Sequence, residues 1–390
     1  MMLHHIRQRY SPEMALVVLI CRVFFKTADG REIDTYTGTQ KIDWSLFRRI
    51  IRTHQVRPVV FKVLSAYPAG IDAVFLDDLR KDCLRIASGN LFKLEEVLKL
   101  HAGLSEAGVN NIPYKGVILS HFLFGDFITR ETADIDFLIK PAQFSEARNI
   151  LSKRGYASVY QYDAKFEKQL LRSDIEMLFA RQSDAGLLKV ELHWLITHRM
   201  FDIPFPLSEL FGNTQTITIA NRKANILGIQ DHALVLLIHH GVNDLWRSLR
   251  HIIDIAAVVS KYSNSIDWNK IAADCRRYNV KHTSDVGFRL CAELLGLAAP
   301  ARFATHEANQ RVMDFLLHFP PSHWKKLSKE NIKLQLSLRD SFWDKVRVSV
   351  SYIKTAFVPS IRDMEAVTLP RPLYFLYYFI KPLLFAFRQK

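Results

Sequence analysis

Residues 113–140 read PYKGVILSHFLFGDFITRETADIDFLIK. Near the end of this stretch an apolar run is broken by two carboxylates one residue apart, Asp134 and Asp136, with Phe137, Leu138 and Ile139 following at once. In a strand, alternate side chains share a face, so the two acids point the same way, about 7 Å apart, while Ile135, Phe137 and Ile139 point into a core. Like charges held that close repel, and a protein tolerates them most readily where a cation sits between them. The pattern suggests a divalent-metal site. A bare D-x-D also fits an edge strand with an acidic solvent face, but its neighbours favour the metal. Lys115 and Gly116 fall at an expected strand-to-helix turn, and Arg130 precedes the acids. Glycine lets backbone N–H groups approach an anion, and Lys and Arg neutralise phosphate charge. Together these residues suggest a metal-nucleotide pocket.

The segments YKG (114–116) and FGDFITRETADIDFLI (124–139) resemble the uncharacterised nucleotidyltransferases of the DNA polymerase beta-like superfamily, whose members carry a K-G, an R and then D-I-D before an apolar strand. VELHW (190–194) and the helical HHGVNDLWRSLRHIIDIAAVV (239–259) extend the likeness, which is specific between about residues 110 and 260 and loose outside them. One departure concerns the Gly-Ser pair that most members place shortly before the acids: here Gly116 is followed by Val117, and 17 residues separate Gly116 from Asp134.

The resemblance implies an α+β protein in which a small mixed β-sheet core carries the acids, with extensive N- and C-terminal helical regions. It implies two divalent ions, Mg²⁺ or Mn²⁺, held by Asp134, Asp136 and a third carboxylate on a nearby strand. That third acid is Glu191: in KVELHW, Val190 and Leu192 alternate with Glu191 and His193, so Glu191 lies beside the two aspartates if the strands are neighbours. A solvent-facing strand glutamate is the alternative, and Glu176 is a weaker competitor. His193 shares the face of Glu191 and reads first as a structural hydrogen-bonding residue. In the implied reaction a nucleoside triphosphate, met by Lys115, Gly116 and Arg130, gives its nucleoside monophosphate to an acceptor hydroxyl that no motif identifies. Two other enzyme-level or binding outcomes stay open: transfer of the gamma phosphate, and an inactive nucleotide-binding relative. Removing one of two repelling acids is expected to leave the metal-free fold intact.

Composition sets the frame. A chain of 390 residues with 49 % hydrophobic and 24 % charged residues can bury a sizeable core and is not disordered. The excess of 53 Lys and Arg over 39 Asp and Glu gives a net charge of +14, which favours anionic partners. No zinc-finger spacing, RNP-like motif or long basic run is present, so nucleic acid is not indicated by a motif. Cys21, Cys83, Cys275 and Cys291 lack C-x-x-C spacing and read as ordinary thiols of a reducing compartment. The apolar stretch from Met14 to Cys21 resembles a signal peptide, but Arg22 interrupts it and Ser11-Pro12-Glu13 is a helix start, so a core helix and a cytoplasmic protein are expected.

Three regions follow in order: helical 1–109, the α/β core 110–228, and helical 229–390. Residues 26–41 read as a polar connection, Asp43 begins a helix, Pro58 opens the next, and Gly89-Asn90 divides a long helical pattern into two. In the core, strands are expected at 112–114, 135–139 and 156–162, then a hairpin from Ile175 to Trp194 around SDAG and a second hairpin around Asn221. Beyond it Asp231 is a candidate N-cap, Asn243 or Asp244 begins the following helix, and Arg250 and Asp254 stand at ion-pair spacing. His239, His240 and Asp254 could line a cleft instead; no zinc motif such as H-E-x-x-H occurs. The tail LYFLYYFIKPLLFAF (373–387) is interrupted by Lys381 and Pro382 and is too short to span a bilayer. A core helix is expected, with peripheral contact to the inner face of a membrane, flanked by Arg371, Arg388 and Lys390, as the competing scaffold reading.

Overall fold

The computed structural model describes residues 2–160, 167–183, 186–303, 310–318, 329–367 and 369–388. They form a mixed helical and sheet protein, and the chain divides into two units, each assembled from separated segments. The first unit takes Met1–Leu94, Gly116–Ala133 and Ile229–Leu338; the second takes Glu95–Lys115, Asp134–Gly228 and Arg339–Lys390.

The second unit holds the sheets. Its strands are β1 (Asn111–Pro113), β2 (Ile135–Ile139), β3 (Ala157–Ser158), β4 (Glu176–Ser183), β5 (Gly186–His193), β6 (Thr214–Ile219) and β7 (Arg222–Leu227). The first five make one sheet in the order β1-β2-β5-β4-β3, with β2 and β5 parallel and the other pairs antiparallel. One face packs Ile135, Phe137 and Ile139 of β2 with Val190 and Leu192 of β5 and their β4 partners Phe179 and Met177, all buried, and on the other face of β2 Asp136 and Leu138 are buried as well. β4 and β5 form the expected hairpin; Asp184 and Ala185 at its tip lie outside the described residues. β6 and β7 form the second, joined through Ala220 and Asn221, both at positive φ, as a tight two-residue turn requires. The strand expected over 156–162 is only Ala157–Ser158, and residues 161 and 162 lie outside the described residues.

The first unit is helical. Ser11 caps the helix Pro12–Phe24 by accepting from Met14 N–H, and Asp43 caps Trp44–Thr53 by accepting from Ser45 and Leu46. Residues 26–41 are not only a connection, because Arg31–Thr39 is helical with Ile33 buried. Gly89 and Asn90 do not divide the long pattern: Ala73–Glu106 is one helix. The reason is tertiary, since the Asn90 amide donates to the Phe127 and Arg130 carbonyls, and so does not compete for its own helix backbone. Farther on, Asp231 lies in the first turn of Ile229–Ile238, and the helix placed from Asn243 or Asp244 begins instead at Leu249, after Ser248.

Candidate functional site

Strand pairing assembles the acidic site. β2 and β5 run parallel with Asp136 directly opposite Glu191, so their side chains leave the same face of the sheet. His193 follows two residues after Glu191 on that face, and the β4–β5 register places Glu176 opposite His193. Imidazole Nε2 lies 3.1 Å from Asp136 Oδ1 and 3.1 Å from Glu191 Oε2, and Nδ1 lies 3.0 Å from Glu176 Oε2. Lys115, just beyond β1, brings Nζ to 3.4 Å from Asp136 Oδ1. Tyr114 closes the group edge-on to the His193 ring, with centroids 5.5 Å apart.

Charge balance explains why these groups tolerate burial. Asp136 and His193 are each 3 % exposed at the side chain. Burial works against a charged His193, but Tyr114, Glu176 and the bond to Asp136 outweigh it and hold the imidazole well above its ordinary range. Burial would likewise raise Glu176, yet the His193 charge and hydrogen bond bring it down to about 2. For Lys115, Tyr114, Asp136 and Glu176 outweigh the burial penalty and keep the ammonium charged. Two cations thus stand among the carboxylates.

Donor atoms of Asp136, Glu191 and His193 all lie within 4.8 Å of one another. Hard carboxylate oxygens converging on one point fit a divalent ion, which would take the place that the His193 Nε2 proton holds between Asp136 and Glu191. Asp134 stands one residue before β2, half-buried, and is not in this mutually close set. Gly116 has φ of +57°, open to glycine, and begins the helix Gly116–Phe124 at the expected strand-to-helix turn.

Arg130 is placed differently. Its guanidinium is buried and grips Asp254 in a fork, Nε to Oδ1 at 3.0 Å and Nη2 to Oδ2 at 3.1 Å. Asp254, expected to pair with Arg250, receives Arg130 and His240. Tyr114 and Glu176 complete the surroundings of His193, Glu176 standing outside the mutually close set that contains Glu191. Glu176 buttresses the far nitrogen of His193, and the only local signal was its place in the hairpin opposite VELHW.

Residues 40–296 match the uncharacterised nucleotidyltransferase family, and the chain belongs to that family. No curated protein matches it. Among solved structures it is similar to the antibiotic-resistance factor ANT(2'')-Ia, at 16 % identity over 48 % of this chain and 94 % of that one, with a TM-score of 0.32. It is also similar to an antigenic nucleotidyltransferase-like protein from Paracoccidioides brasiliensis, at 13 % identity over 55 % of this chain and 95 % of that one, with a TM-score of 0.32.

Proposed function

We propose that this chain moves a nucleoside monophosphate from a nucleoside triphosphate to an acceptor hydroxyl, using Mg²⁺ or Mn²⁺ held by Asp134, Asp136 and Glu191. The observation that carries this reading is the in-register pairing of Asp136 with Glu191 on neighbouring parallel strands. When bound, such ions lower the pKa of the acceptor hydroxyl and neutralise charge on the leaving pyrophosphate. Lys115, already beside Asp136, supplies a further positive charge for the phosphates. Gly116 lets the backbone approach them. His193, held by Glu176, keeps the two carboxylates facing each other before nucleotide arrives. Arg130, which the resemblance offers for phosphate, is engaged by Asp254 in this structure.

The test is binding of each common nucleoside triphosphate to purified protein with and without Mg²⁺ or Mn²⁺, beside the variant Asp134→Ala/Asp136→Ala. Metal-dependent binding lost in the variant, followed by incorporation of alpha-labelled nucleotide and release of pyrophosphate, is the expected result. Release of a nucleoside diphosphate would make the enzyme a phosphoryl transferase, and binding without transfer to any acceptor tried would favour the inactive relative. Equal or absent binding in both proteins would overturn the site.

One observation favours peripheral membrane contact as a further property. The helix Phe342–Phe357 exposes Phe342, Trp343 and Ile353, and the tail exposes Phe375, Tyr378 and Phe379 while burying Tyr377. The tail is therefore not simply a core helix; Lys390 lies outside the described residues. Among the described residues, no helix is long and apolar enough to cross a membrane. Co-sedimentation with anionic but not neutral vesicles, weakened by salt and by Trp343→Ala, is expected; no co-sedimentation with either would remove this property.

A further inference from the structure

The first unit contains a second cluster of metal-ligating side chains. The helix Ile229–Ile238 runs into a π-helical turn, His239–Asn243. An α-helix brings residues i and i+4 to one face, and a π turn brings i and i+5 together as well. Asp244 N–H donates to the His239 carbonyl at 3.3 Å, so two successive histidines both meet the Asp244 side chain. His239 Nδ1 lies 3.2 Å and His240 Nδ1 3.8 Å from the same oxygen, Asp244 Oδ2. The donor atoms of all three lie within 4.8 Å of one another. Ligands bound tetrahedrally to zinc stand about 3.3 Å apart. The spacing is close to that of an ion's coordination shell.

The outward atoms of Asp244 and His240 are fixed by other groups. Asp244 Oδ1 accepts from Arg247 at 2.9 Å, which leaves Oδ2 for the histidines. His240 Nε2 lies 3.0 Å from Asp254 Oδ2. Asp254 also takes the guanidinium fork of Arg130, so it stands as a carboxylate acceptor and His240 Nε2 donates to it. In the neutral imidazole this leaves a lone pair on Nδ1. That atom is buried, makes no hydrogen bond, and faces an oxygen that also offers only lone pairs. A cation between them resolves the contact, and a carboxylate behind the far nitrogen is the usual support of a metal-bound histidine. His251 closes the wall, stacked on His240 at 4.4 Å with Nε2 at 3.5 Å from Asp244 Oδ2. The His239 and Asp244 side chains are 20 % and 17 % exposed, so an ion has an approach.

The backbone that follows is pinned in place. Leu245 and Trp246 both have positive φ, 52° and 55°, a conformation retained only where the surroundings enforce it. Trp246 Nε1 donates to the Thr283 carbonyl at 2.9 Å, and its ring lies where a Cβ on Gly287 would come within 2.3 Å.

We propose that His239, His240 and Asp244 form a divalent-cation site of the zinc class, separate from the acidic site on the sheet. Two imidazoles among its ligands favour Zn²⁺ or Co²⁺ over Mg²⁺. The experiment uses the full chain carrying Asp136→Ala/Glu191→Ala, stripped with a chelator. It is titrated with Zn²⁺ against a chromogenic chelator and with Co²⁺ followed by visible absorption. One equivalent is expected to bind, with affinity falling at least ~10-fold when His239→Gln is added, since loss of even a supporting group costs that much. His239 is partly exposed, so this variant tests the ligand without emptying the core. If the double variant does not fold, loss of one Zn²⁺ equivalent on His239→Gln in the otherwise unchanged chain carries the same test. No bound Zn²⁺ in the folded double variant, or unchanged Zn²⁺ binding after His239→Gln, would overturn the proposal.

Discussion

Asp136→Ala is expected to destabilise the metal-free protein. From sequence alone the opposite follows, because removing one of two repelling acids relieves repulsion. The structure reverses the sign, since Asp136 is 3.4 Å from Lys115 Nζ and 3.1 Å from His193 Nε2. Truncating one member of a buried ion pair costs about 3–5 kcal/mol, because the other charge is left buried. Here Glu176 and Glu191 still hold His193, and Lys115 is 16 % exposed. The cost therefore falls to about 2–3 kcal/mol, the range of a lost charge-assisted hydrogen bond. For a cooperative unit of this size that lowers the melting temperature by about 4–12 °C. The loss should also depend on pH. His193 has a folded-state pKa raised above 6.5, so the stability it contributes is fully present below 6.5 and disappears as pH rises through the folded value. The gap between wild type and Asp136→Ala is thus widest below pH 6.5 and narrows in alkali. Thermal unfolding in chelator at both extremes measures it. Equal melting temperatures, or a gap that widens with pH, would refute the reasoning.

The Glu176–His193 pair has its own window. Glu176, depressed from 4.5 to about 2, contributes above 4.5 and loses its share as pH falls, whereas His193 contributes below 6.5, so Glu176→Gln should cost most between those values. Glu176 is 36 % exposed, so the cost is about 1 kcal/mol, read from denaturant midpoints across pH. Arg130→Ala strands the fully buried Asp254 and should cost about 3–5 kcal/mol, with Arg130→Lys recovering little because a single ammonium cannot reproduce the fork. Unchanged stability with lost nucleotide binding would instead place Arg130 on phosphate. Gly287→Ala should lower stability by about 1–3 kcal/mol by driving a methyl group into Trp246. An unchanged melting temperature there would show that the ring moves freely.

Local rules carried much of this protein. Alternation in ADIDFLI placed Ile135, Phe137 and Ile139 inward, and the same rule in KVELHW put Glu191 and His193 on one face. Ser11 and Asp43 marked helix starts because their side chains bond amides only two or three residues away. Such signals are legible because cause and effect lie within one turn or one strand.

Partner choice was not legible, because alternation says which side chains share a face but not which strand lies alongside. The parallel pairing of β2 with β5 joins segments more than fifty residues apart, and only that register sets Asp136 against Glu191 rather than against Glu176. Arg130 had Asp134 close by in the chain, yet it pairs with Asp254, 124 residues away. The helix through Asn90 persists because distant carbonyls take its amide. The π turn that joins His239, His240 and Asp244 is likewise a tertiary result, held by Trp246 against Thr283 and Gly287. By itself the sequence determined the strand faces, the caps and the residue types of the acidic site. Which charges neutralise one another was decided only when long-range packing brought distant segments within a few ångströms, where burial makes an ionic partner obligatory.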